Sequence, residues 1–442
     1  MTGGRLLISG VTVVDGRGAP AFGPINVLIE DRRIVEIGAD VSSEDAERLD
    51  GAGRFLIPGL WETEGHLVRY SNGLLADMRL AWPEEGDIGR VRSNLAAYLA
   101  SGVTAVLDLG GPTEILAELR EEQRRGEVRG ARLFFTGRQF TAIAGQPALD
   151  GKTLPGLTTQ VGDAEAARRK ASEMIETHRI DAVKANYTVG GGPFGLAPVL
   201  QRDTLEALVE VAHENGLPIL AHIDSAELAA DALEAGVDNV EHIFDPDPSS
   251  FDRDVERVTR LCLENGAFWP MTLVLWEAFS RAGDETMLAE IGVDGRVEPR
   301  VLAELRETPE SLWNTLPPDW RRYYQARFEA GMSVVADVLA EGVKMTVATD
   351  AGNPMVFHGP SVLREMVLMQ RAGVEPLEIL RAATSRAAEK LNRADVLGTV
   401  AVGKVADLVL LDADPLADIA NVGEIAAVIQ EGTVLRPDSL AL

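Results

Sequence analysis

Residues Pro218–Phe244, PILAHIDSAELAADALEAGVDNVEHIF, hold one complete structural repeat. Pro218–His222 and Asn239–Ile243 are short apolar runs, and Glu227–Ala235 between them has the longer pattern of a helix. Two such runs joined by a helix read as parallel strands with a crossover. Working outward, the same unit recurs. The apolar runs are Phe55–Trp61, Val103–Leu109, Ala131–Thr136, Ala182–Asn186, Pro218–His222, Asn239–Ile243, Phe268–Leu273 and Lys344–Thr349. Helical patterns such as Ile88–Ser101 and Thr204–Glu214 separate them. The expected fold is therefore α/β, a (β/α)8 TIM-type barrel over residues 57–396.

The two ends have a different rhythm. Leu6–Val14, Ile25–Glu30, Arg33–Ile37, Asp407–Leu411 and Ile425–Gln430 read as short strands separated by turns. Residues 1–56 and 397–442 are expected to pair into a small, discontinuous β-sandwich domain. The segment at about 276–322 is longer than a βα loop needs, which makes it a candidate lid.

Composition narrows the function. The 69 acidic side chains outnumber 42 basic ones, for a formal charge of −27. That balance argues against nucleic acid and anionic membranes, which clustered Lys and Arg hold. Cys262, the single cysteine, excludes an intrachain disulfide, Cys-rich zinc modules and iron–sulfur clusters. No run approaches the roughly 18 apolar residues of a membrane span, and the opening MTGGRLLISGVTVVDG alternates like a strand. A cytoplasmic homo-oligomer acting on a small molecule is expected.

Catalytic side chains of such barrels sit at the carboxyl ends of strands. Here those positions hold Glu64 and His66 in PGLWETEGHL, Lys184 in DAVKANY, His222 in PILAHID, His242 in NVEHIFD and Asp350 in TVATDAG. The chain has only six histidines and six lysines, so the concentration is informative. Each residue has a bland alternative: a hydrogen-bonded structural histidine, a snorkelling lysine, an Asx-turn aspartate. Together, imidazoles and carboxylates on converging strands form the ligand set of a zinc-like divalent ion with an open position. His178 and His213 lie in amphipathic helical segments and read as solvated.

These motifs resemble the amidohydrolase superfamily, in the branch of imidazolonepropionase-like enzymes and metal-dependent prolidases and carboxypeptidases. VTVVDG, IPGLWE, VEHI, TDAG and GTVAVGKVADLVLLDADPLADI stand in that family's order over nearly the whole chain. The resemblance implies a carbamate on Lys184 bridging two metals, with His222 and His242 on the second metal. Asp350 matches the ligand that also serves as general acid/base.

Two positions depart from the family pattern. Glu64 stands where the first His of His-x-His belongs, with His66 as the second and Glu62 in place of the preceding Asp. Gln146 replaces the His of a Gly-Gly-His loop. Glu64 has three readings: a carboxylate ligand to the first metal, a one-metal site, or a site that has lost hydrolysis. As a ligand it makes the site less positive than a neutral His would, which favours Mn²⁺ or Fe²⁺ beside Zn²⁺. The expected activity is hydrolysis of an amide, carbamate or urea C–N bond by activated water. A mononuclear-metal lyase or isomerase is the alternative. His242 is a candidate oxyanion stabiliser. Tyr187, Gln146, His358, Arg69 and Arg138 are candidate substrate contacts.

Overall fold

The computed structural model describes residues 4–74, 88–149, 152–153, 156–190, 195–293 and 295–436. The extreme ends of the expected β-sandwich, residues 1–3 and 437–442, lie outside the described residues. The repeat at 218–244 forms as its sequence suggests. Ile219–His222 and Asn239–Glu241 are parallel strands, with Ala226–Ala235 as the crossover helix. The Ser225 side chain accepts from Leu228 N at 3.3 Å and caps the helix start, while Gly236 ends it in the left-handed region, φ 97°. Ala229, Ala230 and Ala232 are buried, so small side chains let the helix pack closely on the sheet.

Parallel strands interleaved with helices make an α/β, TIM-barrel-like body. Leu60–Gly65, Val103–Asp108 and Arg132–Phe135 form one parallel sheet. Thr158–Val161, Gln139–Ala142, Val183–Asn186, Ile219–His222 and Asn239–Glu241 form a second. The third apolar run thus continues past a turn at Gly137 into Gln139–Ala142, a strand not anticipated from the sequence. The seventh and eighth runs are not regular strands. Single bridges link Asn239 to Phe268 and Phe268 to Lys344, and Gly65 bridges to Ala351. Thr272 and Asp350, at the far ends of these runs, adopt positive φ.

The first expected run splits at Gly59. Phe55–Pro58 pairs with Leu408–Leu411, whereas Leu60–Gly65 joins the parallel sheet. A Cβ at Gly59 would lie 2.0 Å from Thr104 Oγ1, so only glycine allows this close crossing. The end strands form one connected eight-stranded sheet rather than two separate sheets. In it Arg5–Val13 pairs with Phe22–Glu30 on one edge and with Glu47–Asp50 and Phe55–Pro58 on the other. Its core, including Ile8, Val27, Leu56, Leu408 and Ile429, is distinct from the main one.

The segment at about 276–322 is helical, running through Leu273–Ser280, Glu285–Ile291, Pro299–Glu307 and Leu312–Thr315 into the long helix Pro318–Ala340. Among the described residues, no helix is long and apolar enough to cross a membrane.

Candidate active site

Strand alternation brings the chemistry together. Successive side chains of a strand point to opposite faces. Lys184, Asn186 and Thr188 accordingly line one cavity of about 170 Å³, together with Glu64, His66, His222, Asp224, His242 and Asp350. Tyr187 faces the other way: its hydroxyl donates to Asp231 on the outer helix and it is not part of the lining. The expectation of Tyr187 as a substrate contact is corrected by that alternation.

Glu64 is the hub. Its Oε1 lies 3.4 Å from Lys184 Nζ and 3.3 Å from His242 Nε2, and its Oε2 accepts from Thr272 Oγ1 at 3.4 Å. The Thr272 hydrogen is directed at Glu64, so its oxygen is free to accept from His242 Nδ1, 3.0 Å away. This fixes the tautomer with an Nε2 lone pair toward Glu64. Burial lowers the His242 pKa to about 3, so the ring is neutral. Burial, reinforced by Glu241, holds the Glu64 carboxyl well above the usual range. A neutral imidazole nitrogen and a carboxylate oxygen are both acceptors, so a proton or a cation between them resolves the contact.

His66 Nε2 lies 2.9 Å from Asp350 Oδ1. That contact is poorly directed as a hydrogen bond, and Oδ1 is a buried acceptor without one among the described residues. Burial opposes ionisation of Asp350, but His66, His242 and Arg69 outweigh it and hold the carboxyl well below its ordinary value. Asp350 N donates to Glu64 O at 2.8 Å and His66 N to Ala351 O at 2.8 Å, which lock the two strand ends together. Behind them Glu62 accepts from Thr349 N at 3.1 Å and Glu64 N at 2.9 Å. Burial pushes the Glu62 carboxyl up to about 8.

The donor set suits a divalent ion in type and in burial: two acids, three imidazoles and a lysine with one unpaired carboxylate oxygen. The side chains as they stand pair with each other. Among the described residues, no three His, Cys, Asp or Glu converge on one point. Both the Nε2–Oε1 contact and the Asp350 oxygen fit a cation placed among them.

Gln146 and Arg69 line the cavity, whereas two other expected contacts do not. Arg138 forms a two-pronged pair with Glu114 at 2.9 and 2.8 Å, drawn there by the carboxylate on the neighbouring helix. His358 stands beneath His66, its Nε2 3.1 Å from His66 O and its ring edge-on to Tyr98. It supports the site from outside the cavity. The 276–322 segment supplies a wall rather than only a cover, through Trp276 and Phe279, continued by Tyr323, Tyr324 and Arg327 on the long helix. Aromatic spacing on those helices was the signal for this wall. Asp224, two residues beyond His222, was equally readable by alternation.

A cavity lined by titratable side chains at the carboxyl ends of parallel strands is where α/β barrels carry their active sites. The chain belongs to the amidohydrolase family, whose model, described as Amidohydrolase family, matches residues 55–435. It is 23% identical to an ochratoxinase from Aspergillus niger, covering 92% of this chain and 81% of that one. An imidazolonepropionase from Stenotrophomonas maltophilia is 24% identical over 92% of this chain and 90% of its own. Among solved structures, a prolidase complexed with N-methylphosphonate-L-proline superposes with a TM-score of 0.78. It is 24% identical and covers 98% of this chain and 99% of its own. These place the protein among carbon–nitrogen bond hydrolases with a TIM-barrel-like domain, a family that generally uses divalent metals.

Proposed function

We propose that this protein is a metal-dependent hydrolase of amide, carbamate or urea bonds in a small molecule. The two parallel sheets would be arcs of one closed (β/α)8 barrel over residues 57–396, and the two chain ends a separate β domain. The observation that carries the function is the convergence of Glu64, His66, Lys184, His222, His242 and Asp350 on one buried cavity. Glu64, His66 and Asp350 would hold a first divalent ion and His222 and His242 a second. Lys184 would contribute a further oxygen ligand as a carbamate, formed when its amine nitrogen bonds to the carbon of carbon dioxide and a proton is released. Zinc suits this set, and manganese or iron is the alternative that Glu64 favours. Bound there, a divalent ion polarises a carbonyl and lowers the pKa of water.

The chain's own groups do the rest. Asp350, held ionised, takes the proton of the attacking water and delivers it to the leaving nitrogen. His242, neutral and held by Thr272 through Nδ1, would offer its Nε2 lone pair to the second ion, so it orients that ligand rather than donating to the substrate. The aromatic wall excludes water from the substrate, and Arg69 and Gln146 offer donors to it. The protein is expected to act as a cytoplasmic homo-oligomer.

The test is metal analysis of protein purified without added ions, followed by a panel of chromogenic anilides, carbamates and ureas. Amine release that chelation abolishes and Zn²⁺ or Mn²⁺ restores supports the reading. An isomeric product without incorporation of water would favour the lyase or isomerase alternative.

A further inference from the structure

The cavity has a second charged position that the chemistry above does not use. Asp224 lies two residues beyond the end of the strand Ile219–His222 and is more than nine-tenths buried in the cavity wall. Its Oδ2 accepts from the Thr188 hydroxyl, which also accepts from Gly190 N at 2.9 Å and is fixed by that bond. Its Oδ1 accepts no hydrogen bond among the described residues. An unpaired carboxylate oxygen in such a place is costly unless a donor meets it.

Asp245 and Arg327 both act on Asp224, and other groups already engage Arg327. Its Nε lies 3.2 Å from Asp245 Oδ1, its guanidinium donates to Ile243 O and the Tyr323 hydroxyl, and its plane stacks on Trp276 at 4.1 Å. Asp224 and Asp245 share this arginine, and burial together with Asp245 raises the Asp224 carboxyl, which a cation placed at Oδ1 would offset. Beside it stands the aromatic wall, with Phe279 and Tyr324 stacked at 4.4 Å and Trp276 parallel to Tyr324 at 6.1 Å. A carboxylate oxygen short of a donor, in a cavity also lined by Phe279 and Tyr324, is an environment that recognises an organic ammonium group.

We propose that Asp224 and the aromatic wall form a subsite for a protonated amine carried on an apolar or aromatic group of the substrate. The inference rests on the hydrolase reading for its place in catalysis, but the binding itself does not depend on turnover. Asp224 sets specificity and takes no part in the bond-breaking step.

The experiment compares benzylamine with its neutral isostere benzyl alcohol, titrated calorimetrically into the full chain near neutral pH. Wild type should bind benzylamine about tenfold or more tighter, the range of a charge-assisted hydrogen bond. Asp224→Asn should remove the preference while keeping benzyl alcohol affinity. Phe279→Leu should weaken both probes and keep their ratio, which guards against a general loss of folding in the Asn variant. Equal binding of the two probes by wild type, or an unchanged preference in Asp224→Asn, overturns the proposal. A chain that hydrolyses neutral anilides without amine preference refutes this subsite alone. Amine preference without any hydrolysis refutes the hydrolase reading alone.

Discussion

Glu64 Oε1 and Lys184 Nζ lie 3.4 Å apart, and each side chain is 2% exposed. Glu241 and Lys390 repeat the arrangement at 3.2 Å, also out of contact with water. Burial and Glu241 drive Glu64 toward its protonated form, and Lys184 opposes this. In chelator-treated protein, Lys184→Met lets Glu64 take up a proton and is expected to cost about 1 to 2 kcal/mol of folding stability. Glu64→Gln should cost less in that background than in wild type, because Gln mimics the protonated acid. Urea unfolding of the four proteins reads the coupling. Strictly additive losses would show that Glu64 and Lys184 do not stabilise each other.

Asp350 combines a chemical role with a backbone constraint. Its φ is 57°, in the left-handed region that asparagine and aspartate tolerate better than other side chains. Asp350→Asn keeps the turn while losing the base, and should lower kcat by roughly two to four decades with little change in melting temperature. Asp350→Ala should lose activity and also melt earlier. Turnover and thermal melts on both variants separate the two effects, and near wild-type turnover by Asp350→Asn would remove Asp350 from the mechanism.

The aromatic wall depends on a buried ion pair behind it. Arg364 Nε donates to Glu277 Oε2 at 2.8 Å, and Arg364 NH2 donates to Glu277 Oε1 at 2.5 Å and to Glu290 Oε2 at 2.6 Å. Glu277 follows Trp276 in the helix Leu273–Ser280, so this fork anchors the wall to the helix Pro360–Arg371. Arg364→Met should destabilise by roughly 1.5 to 3 kcal/mol, because Glu277 loses the fork but keeps Arg281 Nη1 at 2.9 Å. Arg364→Lys keeps the charge but not the two-pronged geometry, and should recover only part of it. Denaturant midpoints with unchanged slopes would check both.

How far the sequence reaches can be judged from single residues. Ile219–His222 and Asn239–Glu241 were legible because a strand buried on both faces must be a short apolar run, and nothing else in that stretch is. Phe268 and Lys344 were legible as positions but not as single bridges, since an apolar run does not reveal how many of its residues pair with the neighbouring strand. The six polar strand ends could be found because the fold puts chemistry at one end of the sheet. Tyr187 and Arg138 were misplaced for different reasons. Alternation from Lys184 already turned Tyr187 outward, whereas the pull of Glu114 on Arg138 is a tertiary contact with no local signal. Thr272, which sets the His242 tautomer from 30 residues away, also left no trace in spacing.

Glu365 provides the pH-dependent prediction, away from the proposed ligands. Its Oε1 accepts from Leu273 N at 2.9 Å and its Oε2 from Val274 N at 2.6 Å, so it caps the helix that carries Trp276. The two N–H bonds favour the carboxylate, but burial outweighs them and raises the pKa from 4.5 to about 8. A raised folded-state pKa means that folding favours the protonated acid. Its contribution is therefore complete below about pH 4.5 and is lost as the pH rises through about 8. Glu365→Gln has no such equilibrium. The stability of wild type relative to Glu365→Gln should fall across that window and level off above it; uncoupled groups cancel in the comparison, while Glu62, itself pushed up to about 8 and acting on Glu365, broadens the fall. Urea unfolding of both proteins at several pH values across the window measures the difference. Parallel curves would show that Glu365 is ionised throughout, with the two backbone donors prevailing over burial.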